Sequence, residues 1–168
     1  AFMKVLVYLE TQENSLLQGS LELLTLAARL GGKDVATVLV GAGQACEKAA
    51  HEAARYGVPV TLLELGAESP DALVAALEGH IRDSAPDAVL LSSTQRGREC
   101  AARLAQRFDA GCATGVTAID AEPDGLVVTR PAYGGTVLER LRLAGDRVQL
   151  IAVRSGSFAK PDAGGEGP

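Results

Sequence analysis

The chain has 168 residues, a formal net charge of −5 at pH 7, no Trp and 4% aromatic residues. That length suits one domain with a single hydrophobic core. The acidic balance argues against binding to nucleic-acid phosphates, and the scarcity of aromatic rings argues against stacking on bases, so we expect no nucleic-acid partner.

Up to Phe108, short apolar runs alternate with helical patterns. The predicted strands are Lys4–Leu9, Val35–Val40, Val58–Leu63 and Ala88–Leu91. Helices are predicted from the periodic Leu17, Leu21, Leu24 and Ala28, over Gln44–Tyr56, after the capping residues Ser69 and Pro70, and over Glu99–Phe108. This alternation is typical of βαβ units, in which parallel strands are covered by helices.

After Phe108 the pattern changes, because no long helix separates the next strand-like runs. These runs are Gly125–Arg130, Thr136–Leu143 and Val148–Val153, with hairpin-type turns at Pro123–Gly125 and Ala144–Asp146. We therefore predict an α/β fold of three layers, α/β/α, with a mostly parallel sheet and a small antiparallel extension at its C-terminal end.

The domain boundaries are read from composition. Residues 3–158 are predicted to form a single α/β domain, and residues 159–168 are predicted to be a flexible linker because they contain almost no apolar side chain. Residues 1–2 precede Met3 and are interpreted as a cloning remnant.

The cysteines and the hydropathy pattern suggest the compartment. Cys46, Cys100 and Cys112 have neither disulfide nor metal-ligand spacing, so we expect small apolar fillers, no metal site and a reduced, cytoplasmic environment. No apolar run approaches the ~20 residues of a membrane helix, so no membrane insertion is expected.

A candidate ligand site lies at the carboxyl edge of the predicted sheet, where open parallel sheets bind ligands. Three segments reach this edge: Leu9–Asn14, Gly41–Gln44 and Ser92–Arg98. The candidate residues are Glu10, Thr94, Arg96, Gly97 and Arg98. A helix that begins there has free N–H groups and a positive dipole end, which favour an anion such as phosphate.

A second interpretation of the same segment is ordinary turn chemistry or a partner surface. The sequence has no Gly-rich dinucleotide fingerprint and no Walker A motif. Neither His51 nor His80 has a nearby nucleophile, so no catalytic residues are predicted and the chain is not expected to be an enzyme.

The block Arg130–Gly135 is a candidate interface. Arg130 and Tyr133 are residue types favoured at interface centres, while Pro131 ends a strand and Gly134 permits a tight turn. The other interpretation is a structural corner in which the backbone satisfies the Tyr hydroxyl.

Taken together, five segments resemble the N-terminal domain of electron-transfer flavoprotein alpha subunits. They are the strand ending in Glu10, Thr94–Arg98 with the helix after it, Gly111–Ile119, Arg130–Gly135 and Val153–Phe158. Each segment is unspecific by itself, but their order and spacing are specific.

The resemblance implies a fold of the adenine-nucleotide-hydrolase-like class and a role as a docking scaffold. Its cofactor, FAD, would bind in a C-terminal domain outside this chain, so none is expected on this segment. The implied partner is an electron-transfer flavoprotein beta subunit, which often carries AMP. Through that complex, electrons would pass from partner dehydrogenases to a quinone-linked acceptor of the respiratory chain.

One alternative remains open at this stage. A stand-alone domain of the universal-stress-protein-like class would bind AMP or ATP on the turn Ser92–Arg98. In an alpha subunit, by contrast, the resemblance implies that this nucleotide site is unused.

Overall fold

The computed structural model describes residues 3–66 and 69–162. In chain order its elements are β1 (Val5–Leu9), β2 (Thr11–Gln12), β3 (Ser15–Leu16), α1 (Gln18–Gly31), β4 (Val35–Gly41), α2 (Gln44–Ala54), β5 (Val60–Glu64), α3 (Pro70–Ser84), β6 (Ala88–Ser92), α4 (Gln95–Phe108), β7 (Cys112–Val116), β8 (Ala118–Glu122), β9 (Gly125–Ala132), a 3₁₀ turn (Tyr133–Gly135), β10 (Val137–Arg142) and β11 (Gln149–Val153).

The main sheet of the described residues has six strands in the order β5-β4-β1-β6-β11-β7, and all of its pairs are parallel. Successive side chains of a strand point to opposite faces. Accordingly, Val5, Val7 and Leu9 of β1 pack with α1 and α2, whereas Leu6 and Tyr8 pack with α3 and α4. The predicted three-layer α/β/α fold is therefore confirmed.

The antiparallel extension is a separate sheet of three described strands in the order β10-β9-β8. The turn at Pro123–Gly125 joins β8 to β9, as predicted. The stretch after α4 forms two strands, because β7 enters the parallel sheet and β8 begins the antiparallel one.

The assignment of Val148–Val153 to the antiparallel extension is wrong. Its strand β11 lies inside the parallel sheet between β6 and β7, with every residue buried. A continuous apolar run is typical of a parallel strand covered on both faces. Gln149, its one polar residue, accepts a hydrogen bond from the Leu126 N–H at 2.8 Å. The turn at Ala144–Asp146 consequently links two sheets and forms no hairpin.

Helix α4 begins at Gln95, four residues before the predicted start at Glu99. Thr94 is its N-cap, since its hydroxyl accepts the Gly97 N–H at 2.9 Å. The polar residues 95–98 therefore form the first turn of the helix, although their sequence resembles a loop.

Several predictions concern the chain ends. Residues 1–2 and residues 163–168 of the predicted linker lie outside the described residues, so the boundary near residue 158 stays a prediction. Within the described ranges, none of the helices combines the length and apolar character needed to cross a membrane.

Candidate functional site

The strand order reverses next to β1. The chain runs from β1 outward to β4 and β5 and then returns to β6 on the other side of β1. Ligands of open α/β sheets bind at such a switch point, outside the carboxyl ends of the strands. In this protein a cleft of about 520 Å³ opens there, between the ends of β1 and β4 and the first turns of α3 and α4.

The lining of the cleft contains both polar and aliphatic residues. Charged groups come from Glu10, Arg96 and Glu99, with the hydroxyl of Thr94 beside them. Aliphatic residues of β4, α3 and the loop after β5 also line the cleft: Val40, Leu65, Leu73 and Val74. Small-molecule sites commonly combine an apolar lining with a few placed polar groups.

Glu10 follows directly after β1 and is 9% exposed. Its backbone N–H donates to Ser20 Oγ at 2.8 Å, which fixes the chain as it leaves the strand. Burial raises the pKa of the Glu10 carboxyl, while a hydrogen bond from Thr94 and the positive charge of Arg96 partly oppose the shift. Ionisation of the Glu10 carboxyl is therefore less favourable in the folded protein than in water.

Thr94 connects this carboxyl to helix α4. Its hydroxyl donates to Glu10 Oε2 at 2.7 Å and accepts from the Gly97 N–H at 2.9 Å. Negative charge is stabilised near a helix N-terminus. The protein's own carboxylate thus lies where an anionic ligand would otherwise be attracted.

Arg96 lies at the start of α4 and lines the same cleft. It interacts electrostatically with Glu10 and forms a hydrogen bond with the Tyr8 side chain. Burial and the nearby charge of Glu10 raise the pKa of the Tyr8 hydroxyl, so Tyr8 is a neutral phenol. Glu10, Tyr8, Thr94 and Arg96 therefore form one connected polar group.

Gly97 and Arg98, the other two candidates, do not line the cleft. A Cβ built on Gly97 would lie 1.8 Å from the Ser92 carbonyl oxygen. The glycine therefore permits helix α4 to approach strand β6, and Arg98 donates to the Ser93 carbonyl at 3.0 Å. Sequence reasoning also missed Glu99, Leu73 and Val74 of the cleft, whose helical spacing indicated only ordinary helix faces.

Cys100 also borders the cleft. Burial raises its pKa to about 11, so it is a thiol rather than a thiolate at neutral pH and a poor nucleophile. Among the described residues, no group of three or more His, Cys, Asp and Glu side chains is arranged to hold a metal ion.

The second candidate surface is the tip of the β9–β10 hairpin, residues 131–138, called the hairpin tip below. Its apolar side chains are unusually accessible: Tyr133 is 81% exposed, Leu138 68% and Val137 47%. Tyr133 has a positive φ of 49°, a conformation that non-glycine residues rarely adopt. Gly134 and Gly135 complete the turn with φ values of 67° and 90°.

The hairpin tip carries apolar groups on both faces. Leu138 pairs with Pro131 and Val137 with Ala132, and neighbouring residues of a strand point to opposite faces. Next to the tip, Arg130 Nε donates to Glu139 Oε2 at 2.8 Å, between paired residues of β9 and β10.

Sequence reasoning identified Arg130, Pro131, Tyr133 and Gly134 at this place but missed Leu138. Leu138 could have been found from its position directly after Val137. Adjacent residues of a strand point to opposite faces, so these two apolar side chains cannot both face one core.

Comparison with known proteins gives a consistent result. Residues 5–168 match the family model described as "Electron transfer flavoprotein domain". The electron transfer flavoprotein subunit alpha of Mycobacterium tuberculosis strain H37Rv is similar, with 34% identity over 170 residues, covering 98% of this chain and 51% of the relative. The subunit of that name from Syntrophomonas wolfei is 31% identical over 165 residues, covering 96% of this chain and 51% of the relative.

A protein with a different name shows the same pattern. Protein FixB of Azorhizobium caulinodans is 28% identical over 171 residues, which cover 96% of this chain and 46% of the relative. The chain thus spans about half the length of the curated relatives it matches.

Proposed function

The chain belongs to the electron transfer flavoprotein domain family, and we propose that it is the docking domain of an alpha-type subunit in a flavin-dependent electron carrier. In this proposal the carrier moves electrons from dehydrogenases to a quinone-linked acceptor of the respiratory chain. The observation that carries the docking role is the hairpin tip, where Tyr133, Val137 and Leu138 are exposed together.

The partner proposed for the hairpin tip is the beta-type subunit of the same carrier. Burying one Leu or Val side chain is worth about 1.5–3 kcal/mol, so a tip with apolar groups on both faces gains most by inserting into a partner groove. Tyr133 adds a large ring with a polar end, a residue type enriched at interface centres. Arg130, held by Glu139, and Gly134 complete the proposed contact.

The proposed FAD site lies on a part of the carrier that this chain does not cover. The residues of the cleft do not fit the pyrophosphate of FAD, because Glu10 already brings a carboxylate to the N-terminus of α4. The Gly97 N–H at that terminus is also already bonded to Thr94. We therefore assign no flavin contact to Thr94, Arg96, Gly97 or Arg98.

The proposed domain has no catalytic role of its own. Cys100 lines the cleft as a protonated thiol, and within the described residues no metal-binding cluster stands beside it. A cytoplasmic location, expected from the cysteine pattern, belongs to the same proposal.

Binding to the beta-type subunit of the same organism tests the proposal. Titration calorimetry should detect a complex with the natural protein, and Leu138→Ala should weaken it about tenfold or more, equivalent to about 1.4 kcal/mol. A suitable control is Val60→Ala, another aliphatic strand residue, which lies on β5 away from the hairpin tip. Absence of a complex with the unmodified protein, or equal losses for both variants, would contradict the proposal.

A further inference from the structure

We propose that Tyr133 is the side chain by which the hairpin tip recognises its partner, and that the isolated domain holds this residue in an unfavourable backbone conformation. The partner site that fits it is an apolar pocket on the beta-type subunit with a hydrogen-bonding group at its end. This inference rests on the proposed function and names the residue that selects the partner.

The backbone at Tyr133 suits glycine better than tyrosine. The turn of the hairpin tip has three successive residues with positive φ, namely Tyr133 at 49°, Gly134 at 67° and Gly135 at 90°. A Cβ makes this left-handed conformation unfavourable, and residues other than Gly, Asn and Asp adopt it rarely. Residues in such conformations cluster at functional sites. The requirements of the turn therefore do not explain a tyrosine at this position.

The folded domain makes little use of the Tyr133 side chain, which is 81% exposed. Within the described residues its hydroxyl forms no hydrogen bond, so the structural corner considered from the sequence does not form there. The bonds of this residue belong to its backbone, because the Thr136 hydroxyl donates to the Tyr133 carbonyl at 2.8 Å and the Thr136 N–H does so at 3.4 Å. Another residue type at position 133 would keep both bonds.

The turn is ordered before a partner binds. Thr136 closes it over the Tyr133 carbonyl, and Ala132 and Val137 pair directly beside it as the end residues of β9 and β10. A tyrosine has only two side-chain torsions, so a ring on an ordered turn loses little conformational freedom on binding. Tyr133 is therefore pre-organised for contact.

The groups of the hairpin tip define the chemistry of the partner site. Val137 and Leu138 are exposed together with Tyr133, and exposed apolar patches mark interaction sites. Once the ring is buried, its hydroxyl needs a polar partner, because an unpaired polar group in an apolar environment is unfavourable. The complementary site is therefore an apolar pocket that ends in a hydrogen-bonding group.

Tyr133→Asn separates recognition from folding, because Asn tolerates the left-handed conformation but lacks the ring. In titration calorimetry the variant should bind the beta-type subunit of the same organism about tenfold or more weakly than the natural protein does. Its midpoint of urea unfolding should equal or exceed that of the natural protein, because backbone strain is reduced. Unchanged affinity would overturn the proposal. Weaker binding with a lower midpoint would also overturn it, since Tyr133 would then be a structural residue.

Glu13→Asn is the matched control. Glu13 is exposed and has a φ of 57° in the turn between β2 and β3, so the same substitution relieves the same kind of strain in another hairpin. Its midpoint should also equal or exceed that of the natural protein, and its affinity should be unchanged. An equal loss of affinity in this control would overturn the role of Tyr133.

Tyr133→Phe tests the polar end of the pocket, because it keeps the ring and removes the hydroxyl. Binding should weaken about threefold or more, but less than in Tyr133→Asn. Full affinity of Tyr133→Phe would overturn the hydrogen-bonding group in the pocket.

The outcomes distinguish the role of Tyr133 from the docking role of the hairpin tip. If Leu138→Ala weakens the complex and Tyr133→Asn does not, the tip docks but Tyr133 does not select the partner. If the natural protein forms no complex, both proposals fail. Size-exclusion chromatography of the natural protein alone should show a monomer. A dimer that Tyr133→Asn dissociates would make a second copy the occupant and overturn the choice of the beta-type subunit.

Discussion

Glu10 and Thr94 stand 84 positions apart in the sequence, and their side chains are joined by a 2.7 Å hydrogen bond. This bond connects the end of β1 to the N-terminus of α4 across the switch point of the sheet. The bond gives the buried Glu10 carboxylate a hydrogen-bond donor, and it fixes the position of Thr94, the N-cap of α4.

Thr94→Val should destabilise the protein by about 2 to 3 kcal/mol. The substitution removes the helix cap, worth about 0.5–2 kcal/mol, and also deprives the buried Glu10 carboxylate of a donor. Urea unfolding followed by circular dichroism measures the change. Thr94→Ser keeps the hydroxyl and should lose much less; equal losses for Val and Ser would mean that the hydroxyl is not responsible.

Glu10→Gln should alter the dependence of stability on pH. Because burial raises the pKa of Glu10, the folded protein binds more protons than the unfolded chain between the unfolded pKa, about 4.3, and the higher folded value. The free energy of unfolding therefore loses a contribution as the pH rises through this window. Arg96 and Tyr8 face the carboxyl and Glu99 lines the same cleft, and all three remain in the variant.

The measurement is urea unfolding of both proteins from about pH 4 to about pH 8. The stability of Glu10→Gln relative to the natural protein should increase with pH through the window and then become constant. A relative stability that decreases with pH would show that the folded pKa of Glu10 lies below its unfolded value.

Gly97→Ala should destabilise the protein far more than an ordinary substitution in a helix. The new Cβ would lie 1.8 Å from the Ser92 carbonyl oxygen, so α4 must move away from β6. We expect a loss of about 3 kcal/mol or more, as for other overpacked sites. Gly79 in α3 has open space around its Cβ position, so Gly79→Ala should stabilise by about 0.5–1 kcal/mol. Thermal unfolding of both variants distinguishes the two environments.

Glu22→Leu should release the segment that follows β11. Glu22 is 2% exposed on α1, and its carboxylate accepts the Gly156 N–H at 2.8 Å and the Ser155 hydroxyl at 3.4 Å. Hydrogen exchange at the Gly156 amide should accelerate about tenfold or more, because this amide loses its acceptor. Glu22→Gln retains an acceptor oxygen and should restore part of the protection. Exchange that is unchanged in Glu22→Leu would mean that other contacts hold the segment.

The parallel core was predictable because its signals are local. Continuous apolar runs such as Lys4–Leu9 and helical periodicity such as that of Leu17 and Leu21 are properties of neighbouring residues. The position of β11 was not predictable in this way. A short apolar strand can join a parallel or an antiparallel sheet, and the choice depends on pairing with β6 and β7, which are distant in sequence.

The candidate cleft was predictable in part. Glu10 and Thr94 each follow a buried strand, and the ends of parallel strands meet at one edge of the sheet, so their proximity was expected. The role of Gly97 was not visible, because a glycine that approaches a ligand and one that approaches a strand have the same sequence signal. That Leu73 and Val74 line the cleft depends on how α3 packs beside α4, through contacts between residues that are distant in sequence.

In the proposed function, the hairpin tip docks onto a beta-type subunit. Hydrogen exchange of the natural protein with and without that subunit tests it directly. We expect amides of residues 131–138 to become protected in the complex, while those of the exposed residues 42–44 before and at the start of α2 remain unchanged. A stable complex with no added protection at the hairpin tip would contradict the claim and place the interface elsewhere on the domain.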